Sequence, residues 1–155
     1  MARAAGPAVA GLLSSAREAV EESLREQVAR TPCDAENPLF RDYLRARLVH
    51  CPEEVLIAVF LDAECRFICD EPVGQGGMSS LTMSGRPLFR RAMELNATAL
   101  ILAHNHPSGN ARPSDSDVKA TRRLASVARA MEIHLLDHLV VGRRQISSMR
   151  LAGLL

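Results

Sequence analysis

The residue types that can do chemistry gather between Ala97 and Thr121, in ATALILAHNHPSGNARPSDSDVKAT. An apolar run of strand length, Ala97 to Ala103, ends in His104 and His106. Alternation along an extended chain puts both imidazoles on one side and Asn105 on the other. Pro107, Gly109, Asn110 and Pro113 then force a turn that cannot continue a strand. Ser114 opens a Ser-x-x-Asp step into a helical pattern, so Asp117 falls in the first helical turn and can face back toward the strand end. Two histidines and one aspartate suit zinc, which catalytic sites hold by three protein ligands with a fourth position left for water. Taken singly, the same residues read more simply: Ser114 as an N-cap, Asp117 as its first-turn acidic partner, the histidines as polar residues of a surface loop. Their joint order in the chain favours the metal-binding reading.

The pattern His104-x-His106, seven residues, Ser114, two residues, Asp117 resembles the JAMM signature of the MPN/JAB zinc metallohydrolases. The wording HNHPSG, then PS, then D, then LLDHLVVG at Leu135 to Gly142 is closer still to the RadC branch of that family. The resemblance covers about Glu53 to Leu155. His104-Asn105-His106 also spells HNH, but an HNH nuclease takes its name from three residues spread over a long segment, not from a tripeptide.

The resemblance implies an α/β fold of the JAB/MPN, cytidine-deaminase-like type, with a central mixed sheet flanked by helices. It implies zinc held by His104, His106 and Asp117, and a glutamate at the head of an early strand as general base. Glu54, which precedes the apolar strand Val55 to Leu61 and Asp62, takes that role. Glu53 is its neighbour, and since a strand sends neighbours to opposite faces only one of the two can reach the metal. On the family pattern zinc lowers the pKa of its water from ~15.7 toward ~7. Glu54 then takes the proton and hands it to the leaving amine of an amide, and Ser114 matches the serine that steadies the oxyanion. Asp137 and His138 stand open between orienting the metal ligands and making structural hydrogen bonds. Where RadC sequences usually carry Gly-Thr after the second strand and Arg-Glu before the next helix, this chain has Gly76-Gly77 and Arg86-Pro87.

The rest of the 155 residues must position these groups, and they fit one domain of ordinary size. The chain divides into an N-terminal helical extension over residues 1–50 and a RadC-like JAB/MPN domain over 51–155. Apolar recurrence predicts helices over Gly11 to Arg30 and Leu39 to Val49, separated by a break containing Pro32, Asp34 and Pro38. In the RadC family a helix-hairpin-helix region often precedes the catalytic domain, but this segment has no Gly-rich hairpin. Strands are expected at Val55 to Leu61, Arg66 to Asp70, Ala97 to Ala103, Leu135 to Val141 and Gln145 to Met149, with helices at Arg86 to Asn96 and Asp117 to Glu132. The Gly- and Ser-rich stretch Val73 to Ser80 lacks the Gly-Lys-Ser/Thr of a phosphate-binding loop and reads as a connection with special backbone angles.

Composition narrows the function. No run reaches the ~18 apolar residues of a membrane span, and the opening MARAAGPAVAGLLSSA is broken by Gly6 and Pro7 and followed at once by acidic residues, unlike a signal peptide. A soluble, cytoplasmic protein is expected. Cys33, Cys51, Cys65 and Cys69 form no CxxC pair. Cys65 and Cys69 can share one strand face, but a second metal or redox site there is less expected than buried free thiols. With 19 basic and 18 acidic residues the net charge is +1, and aromatics make up 3 %. Neither a basic stripe nor stacking aromatics supports a nucleic-acid partner. Arg90-Arg91, Arg122-Arg123 and Arg143-Arg144 read as solvated pairs.

The reading that results is a zinc-dependent metallopeptidase or isopeptidase acting on a peptide or protein. The alternative is a noncatalytic or DNA-repair-associated RadC-type module. A scaffold that had lost activity could dispense with Glu54 or Ser114, and this chain has both. No long insertion flanks the metal loop, which favours a small or extended peptide over a folded modifier.

Overall fold

The computed structural model describes residues 6–75 and 85–155. Its elements run α1 (Pro7–Val28), α2 (Pro38–Leu48), β1 (Val55–Leu61), β2 (Phe67–Gln75), α3 (Arg86–Glu94), β3 (Ala99–Asn105), α4 (Asp115–Ala130), β4 (His134–Val141) and β5 (Ile146–Ser148). The strands form one mixed sheet in the order β2-β1-β3-β4-β5. Among the described strands only the β3–β4 pair is parallel, and the others are antiparallel. This is the α/β architecture expected from the chain, a mixed sheet with helices on both faces.

The continuous apolar runs of β1 and β3 require cover on both faces. Side-chain alternation divides that cover. Ile57, Val59, Leu61, Ile101 and Ala103 pack with Phe40, Tyr43, Leu44 and Leu48 of α2. Leu56, Ala58, Phe60, Leu100 and Leu102 pack with Leu88 and Phe89 of α3 and with Ala120, Leu124 and Ala128 of α4. Helix α2 is therefore a full partner in the core, started by Asn37, whose side chain accepts from the N–H groups of Leu39 and Phe40. Helix α1 buries only Val28, and Leu12 and Leu13 on its apolar face stay exposed.

Two strands run further than their apolar residues suggest. β3 continues through His104 and Asn105 because β4 pairs with it as far as Asn105 opposite Val141. β2 continues past Asp70 to Gln75, with Pro72 taken up beside a register shift on this edge strand. The part of the Gly- and Ser-rich stretch beyond Gln75, with Gly76-Gly77, lies outside the described residues. All four cysteines are free. Burial and the neighbouring Asp34 push the Cys33 thiol up to about 12, so it is a neutral core residue at ordinary pH.

Two local interactions tie the layers. On one side Asp70, at the β2 edge, accepts from the Tyr43 hydroxyl and from Nε of Arg47, the latter at 3.1 Å. Arg47 also reaches Glu21 of α1 at 3.1 Å. On the other side the connection between β3 and α4 lies against the end of β4, where Arg143 N–H donates to the carbonyl of Gly109 at 3.0 Å. That approach needs Gly142: a Cβ there would sit 2.6 Å from the Gly109 oxygen and 2.8 Å from the Ala111 nitrogen.

Tyr43→Phe is expected to lower stability by about 1.5–3 kcal/mol, the usual worth of a hydrogen bond to a charged group, measured by urea unfolding near neutral pH. Burial and Asp70 hold the Tyr43 hydroxyl well above its ordinary value. The native protein therefore has this stability in full below the unfolded tyrosine pKa of ~10, and the gap to Tyr43→Phe narrows as pH rises beyond it. Gly142→Ala is expected to cost about 1–3 kcal/mol by overpacking, read as a lower melting temperature; an unchanged one would show that the loop gives way freely.

Candidate metal centre

Strand parity decides which polar residues meet. His104 continues the row of Leu100 and Leu102 toward α4, while Asn105 belongs to the opposite face. The backbone pairing of β1 with β3 places Leu56 opposite His104. Two residues before Leu56 on the same face is Glu54, and Glu53 is sent to the other side. A side-chain ligand atom from each of Glu54, His104, His106 and Asp117 lies within 4.8 Å of the other three. Glu54 and not Glu53 joins the histidines, and this is the single such group among the described residues. Cys65 and Cys69 form no second one.

Asp117 is delivered by a capping box at the start of α4. The Asp117 N–H donates to Ser114 Oγ at 3.1 Å and the Ser114 N–H donates to Asp117 Oδ2 at 2.8 Å. The same Oδ2 lies 3.6 Å from His104 Nε2 and 3.5 Å from His106 Nε2. Burial works against the charged carboxylate, but a hydrogen bond from the His104 ring in its doubly protonated form and the hydrogen bonds from Ser114 outweigh it and hold Asp117 well below the usual carboxylate range. Ser114 Oγ also lies 2.8 Å from Ser116 Oγ. The cap and the carboxylate of the group are one construction: Ser114 and Asp117 form the capping pair, and the same Asp117 carboxylate faces both histidines.

Hydrogen bonds fix the histidine tautomers. Thr121 Oγ1 donates to the Asp117 carbonyl at 2.6 Å and so accepts from His138 Nδ1 at 2.7 Å. Complete burial, and then the adjacent His104, hold His138 well below the usual histidine range, so it is neutral. Its Nε2 therefore accepts from His104 Nδ1 at 2.8 Å. His106 Nδ1 donates to the carbonyl of Asn110 at 2.9 Å, a carbonyl placed by the turn in which Gly109 takes φ 83°.

These assignments leave the Nε2 lone pairs of His104 and His106 facing each other at 2.9 Å, with a carboxylate oxygen beside both. Three acceptors converging without a proton between them are the donor set that a cation satisfies, and two imidazoles with carboxylates fit a divalent metal ion.

Asp137 and His138 part company. His138 supports His104, whereas Asp137, on the other face, accepts from the N–H groups of His138 and Arg150 and from the Ser148 hydroxyl. Asp137 fastens the β4–β5 edge and does not reach the group. Sequence reasoning missed Thr121 and the Asn110 carbonyl. Thr121 stands four residues after Asp117 on one helical face, a spacing that signals it; nothing in the residue type of Asn110 marks its carbonyl.

The family model described as "RadC-like JAB domain" matches residues 35–154, which includes α2. A "UPF0758 protein" of Leptothrix cholodnii is 39 % identical over 97 % of this chain and 68 % of its own length, and one of Azotobacter vinelandii is 40 % identical over 96 % and 66 %. A "UPF0758 protein" of Burkholderia mallei is 38 % identical over 97 % of this chain and 54 % of its own length. The chain thus spans between about half and two thirds of the length of these relatives. With the mixed sheet, the helices on both faces and the His/His/Asp/Glu group in place, the chain belongs to the RadC-like JAB domain family.

Proposed function

We propose that this chain is a zinc-dependent metallohydrolase, a peptidase or isopeptidase, working in the cytoplasm. The observation that carries the reading is the convergence of His104, His106, Asp117 and Glu54. His104, His106 and Asp117 would hold the ion, since the tautomers above free one nitrogen on each ring. Zinc supplies Lewis acidity when bound, polarising a carbonyl and bringing the pKa of water from ~15.7 toward ~7.

The remaining work falls to the chain's own groups. Glu54, partly exposed at the head of β1, accepts a proton from the attacking water on a carboxylate oxygen and returns it to the leaving amine. Ser114 Oγ has two acceptor sites and one proton. With the Asp117 N–H donating to it and Ser116 able to donate as well, its own proton is free for the developing oxyanion. A cavity of about 430 Å³ opens beside His106 between Cys51, Pro52 and Arg143, at the ends of the one parallel strand pair, where open α/β sheets commonly take ligands. Its size suits side chains of an extended peptide.

A panel of unstructured peptides and ubiquitin-like conjugates, assayed with and without a chelator, tests this reading. Peptide cleavage abolished by the chelator is expected, with Glu54→Gln slowed by ~10²–10⁴-fold and Ser114→Ala by ~10²–10³-fold. Cleavage that survives chelation would overturn the metal mechanism, cleavage of conjugates alone would overturn the peptide preference, and no cleavage of any member by a zinc-loaded chain would leave a metal-binding module in place of the hydrolase.

A further inference from the structure

Asn105 separates the two histidines on β3, yet its side chain leaves the strand on the opposite face. It is 2 % exposed, and among the described residues its side-chain hydrogen bonds go to one short segment. Nδ2 donates to the carbonyls of Cys51 at 3.2 Å and Glu53 at 3.0 Å, and Oδ1 accepts from the N–H of Val55 at 2.8 Å. Two carbonyls can only accept, so this orientation of the carboxamide is the one that satisfies its neighbours. The Glu53 carbonyl and the Val55 N–H belong to the two peptide groups on either side of Glu54. One side chain therefore holds both peptide planes that set the backbone angles of Glu54.

The sheet shows why a side chain does this. The backbone pairing between β1 and β3 ends at Leu56 opposite His104. Beyond that pair a strand end has no ladder to hold it and opens easily. Asn105 continues the hydrogen bonding one step further with its carboxamide, at the level where Glu54 has to meet His106. We infer that Asn105 is a positioning residue: it locks Glu54 against the histidine pair, so that one three-residue stretch of β3 presents the two ring nitrogens on one face and places the carboxylate from the other. The inference rests on the reading of Glu54 as the base of a metal centre. A merely structural Asn105 would satisfy the same buried carbonyls without affecting what Glu54 does at the ion.

The test uses the full chain as native protein, Glu54→Gln, Asn105→Ala, Asn105→Asp and the double variant Glu54→Gln/Asn105→Ala, each titrated with Co(II) alone. Asn105→Asp keeps the acceptor for Val55 and loses the donors to the two carbonyls, and circular dichroism shows whether each variant folds. Co(II) is expected to bind every folded variant with affinity within about tenfold of native, a span of the order of one net hydrogen bond. Its visible d–d bands should shift in Glu54→Gln, shift in the same sense in both Asn105 variants, and shift no further in the double variant, since two residues acting through one contact are not additive. Native-like bands in a folded Asn105 variant, or additive shifts, would overturn the inference, as would failure of both Asn105 variants to fold. If the native chain binds no Co(II), the metal reading itself falls, and amide exchange decides the rest. Exchange of the Val55 amide should then be at least about tenfold faster in Asn105→Ala, with Ile57 to Phe60 unchanged; an unchanged Val55 amide would sink the proposal.

Discussion

Alternation along β3 is the constraint on which the rest of this structure depends. The strand is buried on both faces over its whole length, so each polar residue at its end must find partners on its own side. His104 finds His138 and His106, and Asn105 finds the segment before β1. No buried side-chain nitrogen or oxygen among the described residues lacks a partner. The histidine pair nevertheless has a different standing from the others. With Nδ1 of each ring engaged as a donor, the contact between the two Nε2 atoms has no proton of its own unless one ring is charged. A cation would resolve that conflict for both rings and for Asp117 at once.

The same region shows how stability and chemistry share parts. Ser114 and Asp117 satisfy donors at the start of α4, a contribution of about 1 kcal/mol for a cap, and in doing so they aim a carboxylate at the histidines. Thr121, bonded back to the Asp117 carbonyl one helical turn earlier, both closes the turn and orients His138. Gly142 lets the loop come close enough for the Asn110 carbonyl to hold His106. Buried polar networks of this kind are sensitive to partial loss, because removing one member strands a donor or acceptor in the next.

Much of this could be read from residue order because it obeys short-range rules. Period-two alternation aligned His104 with His106, the Ser-x-x-Asp step marked the start of α4, and the continuous apolar character of Val55 to Leu61 marked a strand. The resemblance picked out Glu54, and the register of β1 against β3, which no single strand reveals, separates it from Glu53. The burial of α2 was likewise hidden: Phe40, Tyr43 and Leu44 announce an amphipathic helix, but not which sheet face it meets. The separation of Asp137 from His138 follows from their opposite faces and from Ser148 and Arg150, which come close only once β5 has turned back. Asn105 was legible as pointing away from the two histidines; that it reaches across to the flanks of Glu54 is a long-range contact outside the scope of any local pattern.

The most direct measurement is metal content, by elemental analysis of native protein, Glu54→Gln and His106→Ala purified without added metal. The account predicts about one zinc per chain in native protein and in Glu54→Gln, and its loss in His106→Ala, because a ligand gives up a bond to the ion while the base does not. Native protein that carries no metal, and takes up none when incubated with zinc, would contradict the claim that this group is a metal centre.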